Sequence, residues 1–137
     1  MTKINQPARK SDKIIYWIAT AWLSLGMLST GIVQLLKTKE EVDLMTHLGY
    51  PLYFLTIIGV WKILGVAAVL LPPRKQGFLG FPLKEWAYAG FFFAMSGAVF
   101  SHLACNDAAK EFFGPSLLIV LTITSWHFRR RLNEHEA

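Results

Sequence analysis

Between Leu52 and Leu71 an otherwise apolar stretch carries one charged residue, Lys62, close to its middle. A run of about 20 apolar residues is what an α-helix needs to cross a bilayer. A charged amine near the centre of such a helix costs ~2.5–3.5 kcal/mol even on the most lenient insertion scale. A counter-ion, a polar cavity or a partner helix has to offset that cost. Gly59 and Gly65 stand three residues before and after Lys62, so this face of the helix is small and admits a neighbour closely. Lys62 is therefore expected to point into a bundle, not into lipid.

The rest of the chain fits a membrane context. It is 53% hydrophobic and 14% aromatic, with a positive mean hydropathy of +0.37. Its polar residues fall in blocks instead of alternating with apolar ones, which argues against a soluble globular domain. Four hydrophobic spans can be drawn: Ile14–Leu36, Leu52–Leu71, Trp86–Cys105 and Phe112–Phe128. The fourth is the shortest, with Gly114-Pro115 placed at its start, where proline is tolerated. The expected fold is all-α, a four-transmembrane-helix bundle formed by residues 1–137 as a single membrane domain. Nothing is left over for a soluble catalytic domain.

The net charge of +5 raises the question of nucleic acid, and its distribution answers it. Lys3, Arg9, Lys10 and Lys13 precede the first span, Arg74, Lys75 and Lys84 lie between the second and third, and Arg129, Arg130 and Arg131 follow the fourth. The alternate loops carry Lys37, Lys39 and Lys110 against Glu40, Glu41, Asp43, Asp107 and Glu111. This is the positive-inside pattern, which places both termini in the cytoplasm and makes the lipid bilayer, with no nucleic acid, the partner of the basic residues. The first span exceeds the usual ~7–15 residues of a signal-peptide core and lacks a small-x-small cleavage site, so it reads as a retained helix. Trp17, Trp22, Tyr50, Tyr53, Trp86, Tyr88 and Trp126 lie mostly near span ends, as interfacial anchors do.

Polar residues within the spans are few. Thr20, Ser24, Met27, Gly31 and Gln34 recur at three- and four-residue steps and make a stripe suited to helix packing, with an amide at its far end. Gly90, Ala94, Ala98, Ser101 and His102 do the same on the third span. Packing accounts for the small residues. His102, inside a hydrophobic span, reads either as an interhelical hydrogen-bonding group or as a ligand- or proton-handling one. It lies at much the same depth as Gln34, and helical side chains lean toward the N-terminus of their own helix, so Lys62 leans toward both. Lys62, His102 and Gln34 are the candidate intramembrane polar site. Glu85, at the start of the third span, is favoured there by the helix dipole; pairing with Lys62 is its alternative. The segment Lys37–Pro51 reads as an outer loop with His47 a surface histidine, and the Arg74–Lys84 loop, interrupted by Phe78, Leu79 and Phe81, as one dipping against the headgroups. Cys105, the single cysteine, reads as a buried thiol, with mixed-disulfide chemistry toward a partner as the alternative. The four histidines have no metal-ligand spacing and no phosphate-binding glycine loop is present, so the expectation is no metal and no covalently bound cofactor.

Leu48-Gly49-Tyr50-Pro51, Lys62-Ile63-Leu64-Gly65 ahead of Leu71-Pro72, the run Lys84-Glu85-Trp86-Ala87-Tyr88-Ala89-Gly90-Phe91-Phe92-Phe93, and Ser101-His102-Leu103 resemble the DoxX-like family of small bacterial membrane proteins. The resemblance runs from about Tyr16 to Trp126. It implies a four-helix bundle in the bacterial cytoplasmic (inner) membrane and an association with membrane redox and thiol or oxidative-stress systems. By that resemblance the chain is an accessory subunit beside a soluble or membrane redox partner, not an enzyme on its own, with quinone as the candidate ligand. Where members commonly carry an acidic residue this chain has Ala94, so the resemblance supplies no counter-ion for Lys62. A small-solute or proton permease, for which four helices would require a homodimer, and a structural or assembly protein are the alternatives.

The charge pattern generates a direct test. A reporter active only outside the cytoplasm should be silent when fused after Ala137 and active when fused near Thr38, because ten of the fourteen basic residues lie on the cytoplasmic side of this topology. Activity of the C-terminal fusion overturns it.

Overall fold

The structure, a computed structural model, describes residues 7–71 and 82–136. Pro72, Pro73, Arg74, Lys75 and the Phe78–Phe81 stretch of the loop expected to dip against the headgroups lie outside the described residues, as does Lys3. Five helices follow one another: α1 (Lys10–Leu35), α2 (Lys39–Leu48), α3 (Tyr53–Leu70), α4 (Leu83–Ala104) and α5 (Lys110–Glu136), with no strand among the described residues. Three of them, α1, α3 and α4, are long and apolar enough to cross a membrane. Helix α5 runs past the expected Phe128 boundary to Glu136 and carries Pro115 inside it, in its second turn.

The four long helices make a closed ring of antiparallel neighbours: α1 packs on α3 and α5, and α4 packs on α5 and α3. The stripe on α1 is the reason it takes this place, since Thr20, Ser24, Met27, Gly31 and Gln34 are all buried. Its glycine makes a close backbone crossing with α3. A methyl group on Gly59 would stand 2.9 Å from the Gly31 carbonyl oxygen and 2.8 Å from Leu35, and one on Gly31 would meet both Gly59 and Lys62 at 3.2 Å. The glycine three residues before Lys62 thus does bring a neighbour close. Gly65, on the other side of Lys62, leaves room for the Phe91 ring.

The ladder on α4 is mixed: Ala94 packs against the core as expected, while a methyl group on the exposed Gly90, or on nearby Gly97, would meet nothing within 4 Å. Ala94, Gly97 and Ala98 border a cavity. The dense core lies toward the opposite end, where Leu23, Met27, Val66, Val69, Tyr88, Phe91 and Met95 interlock. Tyr88 belongs to that core and is not an interfacial anchor; its hydroxyl meets Ser125 Oγ at 2.8 Å, and Ser125 meets Thr20 at 2.6 Å. The outer surface carries many large apolar side chains, with Trp17, Trp22, Trp61, Leu64, Trp86, Phe93, Phe100 and Phe113 each more than three-fifths exposed. An apolar surface that continuous suits a lipid surrounding.

The segment expected to be an outer loop contains a helix, α2. Leu44, Met45 and Leu48 recur at helical spacing, with Met45 buried, and Gly49 ends it in the left-handed conformation at φ 81°. The N–H groups of Gly49 and Tyr50 then bond back to the carbonyls of Thr46 (3.2 Å) and Met45 (2.9 Å), the paired closure that a positive-φ glycine permits.

The contrast between glycines is measurable. Gly59→Ala should destabilise the protein by about 1–3 kcal/mol through overpacking at the crossing. Gly90→Ala should be neutral or stabilising by up to ~1 kcal/mol, since only helix propensity changes. Thermal unfolding of the two variants in detergent checks this, and equal shifts would contradict the crossing.

Candidate functional site

A cavity of about 530 Å³ opens among α1, α3, α4 and α5 at the α2 end of the bundle. Lys62, His102 and Gln34, the three residues singled out in the sequence, all line it, as do Thr30, Glu41 and Tyr50. The small α4 residues Ala94, Gly97 and Ala98 form one wall, which is why the space exists. Side chains of Leu44, Met45 and Leu48 from α2 lie across it. The wall is mostly apolar, with its polar groups spaced apart.

Lys62 is 5% exposed. Its Nζ donates to Thr30 Oγ1 at 3.2 Å, and Thr30 in turn donates to the Gly26 carbonyl at 2.9 Å. An ammonium has three N–H groups, so a hydroxyl leaves two of them for the cavity. No carboxylate reaches ion-pair distance among the described residues; Glu41 is an acidic group whose field acts on Lys62. Glu85, the alternative partner, is at the far end of the bundle, where it accepts from Trp126 Nε1 at 2.7 Å and pairs with Arg129. Its helix-start position is as expected, and its bonds make it a strut between α4 and α5. Gln34 is buried with no hydrogen bond to its Oε1, and Glu41 Oε2 is likewise unpartnered. Buried polar atoms without partners are rare in folded proteins and call for a ligand, an ion or water. Gln34, His102 and Lys62 share the cavity without bonding to one another.

His102 is held by the end of its own helix. Asn106 adopts a left-handed conformation at φ 54°, so the Asp107 N–H bonds to the His102 carbonyl at 3.0 Å. That closure returns the Asp107 side chain over His102, with Oδ2 at 2.7 Å from Nδ1. The other oxygen, Oδ1, lies 2.6 Å from Nε2 of the exposed His47 on α2. The ring N–H of His102, then that of His47, hold the Asp107 carboxyl below the usual carboxylate range. A depressed folded value means that the clasp contributes stability above the ordinary carboxylate range and loses it as pH falls through the lowered value. His47 is therefore a tether of α2 and not a free surface group. Tyr50 is tied down too, its hydroxyl 2.8 Å from Ser101 Oγ. Cys105 is half-buried, with Sγ 3.9 Å from the His47 carbonyl. Among the described residues no three His, Cys, Asp or Glu side chains converge as metal ligands.

Three of these residues escaped the sequence reading. Thr30 lies one helical turn before Gln34 on the same stripe, and that spacing was an available signal. Asp107 follows the left-handed-prone Asn106 five positions after His102, the spacing of a helix-end closure. Glu41 was hidden because its segment reads as a loop, and Thr38-x-x-Glu41 matches a capping box. In the structure Thr38 makes no side-chain cap bond and Glu41 faces the cavity instead.

A family model described as the DoxX-like family matches residues 18–125, a range that includes every cavity residue named here. The chain is also similar to the "Uncharacterized protein YdgD" of Bacillus subtilis (strain 168), with 30% identity over 81 residues, covering 59% of this chain and 67% of that protein. No solved structure matches the chain. Matched from the third turn of α1 through most of α5, this helical, span-forming chain belongs to the DoxX-like family.

Proposed function

We propose that this chain is a multi-pass protein of the bacterial cytoplasmic membrane, crossing it four times with both termini inside, that binds a quinone-type ring in the α2-end cavity. In this role it serves as an accessory subunit of a membrane redox system, handing the ring to or from a redox partner. One observation carries the reading: a buried ammonium with spare N–H groups faces a mainly apolar cavity. A ring with carbonyl oxygens on an apolar frame meets both demands, since each carbonyl accepts from Lys62 and the frame covers the α4 wall. The volume of about 530 Å³ falls in the range of roughly 300–1,000 Å³ typical of small-molecule sites. Gln34 offers an amide that can accept or donate according to its flip. The redox association rests on the family likeness.

A second reading, a proton permease, is favoured by a different observation. Titratable groups run from exposed His47 through Asp107 to His102 on the cavity wall. Proton uptake by proteoliposomes separates the two, because the accessory reading requires none.

The test is binding of a methylated naphthoquinone to the full-length protein in lipid nanodiscs. Lys62→Met should weaken binding by about tenfold or more, the value of a charge-assisted hydrogen bond. Lys62→Arg should rescue it poorly, since a planar guanidinium does not fill the place of a compact ammonium. Glu85→Gln, at the far end of the bundle, should leave it unchanged. Wild-type affinity in Lys62→Met, or no binding by the wild type, removes this reading.

A further inference from the structure

The clasp at Asp107 has a chemical consequence for the cavity. An ionised carboxylate only accepts hydrogen bonds. Both of its oxygens are engaged by ring nitrogens, His102 Nδ1 at 2.7 Å and His47 Nε2 at 2.6 Å, so each of those nitrogens carries the proton. In a neutral imidazole the second nitrogen is then the bare acceptor. For His102 that nitrogen is Nε2, on a buried side chain that lines the cavity and whose other nitrogen is already used. The ring also meets Phe112 in a T-shaped contact, centroids 6.0 Å apart, and a phenyl ring has no group that donates a hydrogen bond to Nε2.

We infer that Asp107 is a positioning residue that fixes His102 in the Nδ1–H form, so that Nε2 presents an acceptor and the cavity selects the hydroxyl-bearing form of its ring, a quinol or phenol. The inference rests on the quinone-type reading and adds to it a preference between two states of the ligand. Lys62 donates to one ring oxygen whether that oxygen is a carbonyl, a hydroxyl or an ether. His102 Nε2 rewards only an O–H. The two groups together distinguish a diol from every analogue that lacks the proton. A carboxylate bonded to one nitrogen of an imidazole sets its tautomer and so the hydrogen-bonding character of the far nitrogen.

Two measurements on the full-length protein in nanodiscs test it. Nitrogen NMR of His102 reads the tautomer without any ligand: the wild type should show protonated Nδ1 and bare Nε2, and Asp107→Ala should shift the ring toward the Nε2–H form. A wild-type ring already in the Nε2–H form overturns the inference and leaves the quinone-type reading standing. The second measurement compares, without air, a para-dihydroxynaphthalene with its dimethyl ether. The diol should bind about three- to tenfold more tightly, the range of one hydrogen bond. That ratio should collapse toward one in His102→Phe and in Asp107→Ala. His47→Ala should keep the ratio, since the Asp107–His102 bond does not depend on it. Equal binding of diol and ether by the wild type, or a ratio that survives Asp107→Ala, overturns the inference alone. Binding of neither ring overturns the quinone-type reading and the inference with it.

Discussion

The structure is organised around the charge of Lys62, which must be kept solvated or bonded inside a bundle whose outside is apolar. An uncompensated ammonium in such a place costs several kcal/mol, and the chain meets the cost with space and with a hydroxyl instead of a counter-ion. Gly31 and Gly59 bring α1 and α3 together level with the lysine, which places Thr30 within reach of Nζ. Gly97 and the alanines of α4 then withhold side-chain volume from the same level. Small residues thus do two opposite jobs within one molecule, closing one seam and opening another.

The two ends of the bundle divide the polar chemistry between them. At the end away from α2, Thr20, Ser125 and Tyr88 share hydroxyl bonds and Glu85 holds Trp126 and Arg129, while the buried Asp12 Oδ2 and Ser24 Oγ have no hydrogen-bond partner. Satisfied networks of this kind fix a structure. At the α2 end, Gln34 and Glu41 keep oxygens without partners and Lys62 keeps N–H groups to spare. What singles out the cavity is that its unpartnered oxygens and the spare Lys62 N–H groups face one shared space.

Much of this was legible in the sequence because it follows from spacing. Three of the apolar spans, which coincide with helices long and apolar enough to cross a membrane, and the burial of the α1 stripe come from length, composition and a helical period of 3.6 residues. What was not legible depends on tertiary partners. Gly90 reads as a packing residue because a sequence gives its size and not the distance to the next helix; Gly59 and Gly90 look alike until the neighbours are known. Helix α2 was missed because ten residues rich in Lys, Glu and Asp look like a loop, and its apolar face is only Leu44, Met45 and Leu48. Asp107 was read as loop charge because its role arises from a left-handed Asn106 that turns the chain back on His102.

The glycine crossing fixes more than a contact. A methyl group on Gly31 would meet the Cβ of Lys62 at 3.2 Å, so the backbone of α1 runs directly against the root of the lysine side chain. The position of the ammonium at the cavity wall is therefore set in part by a residue that has no side chain, since any group added at Gly31 would press on the stem that carries the charge.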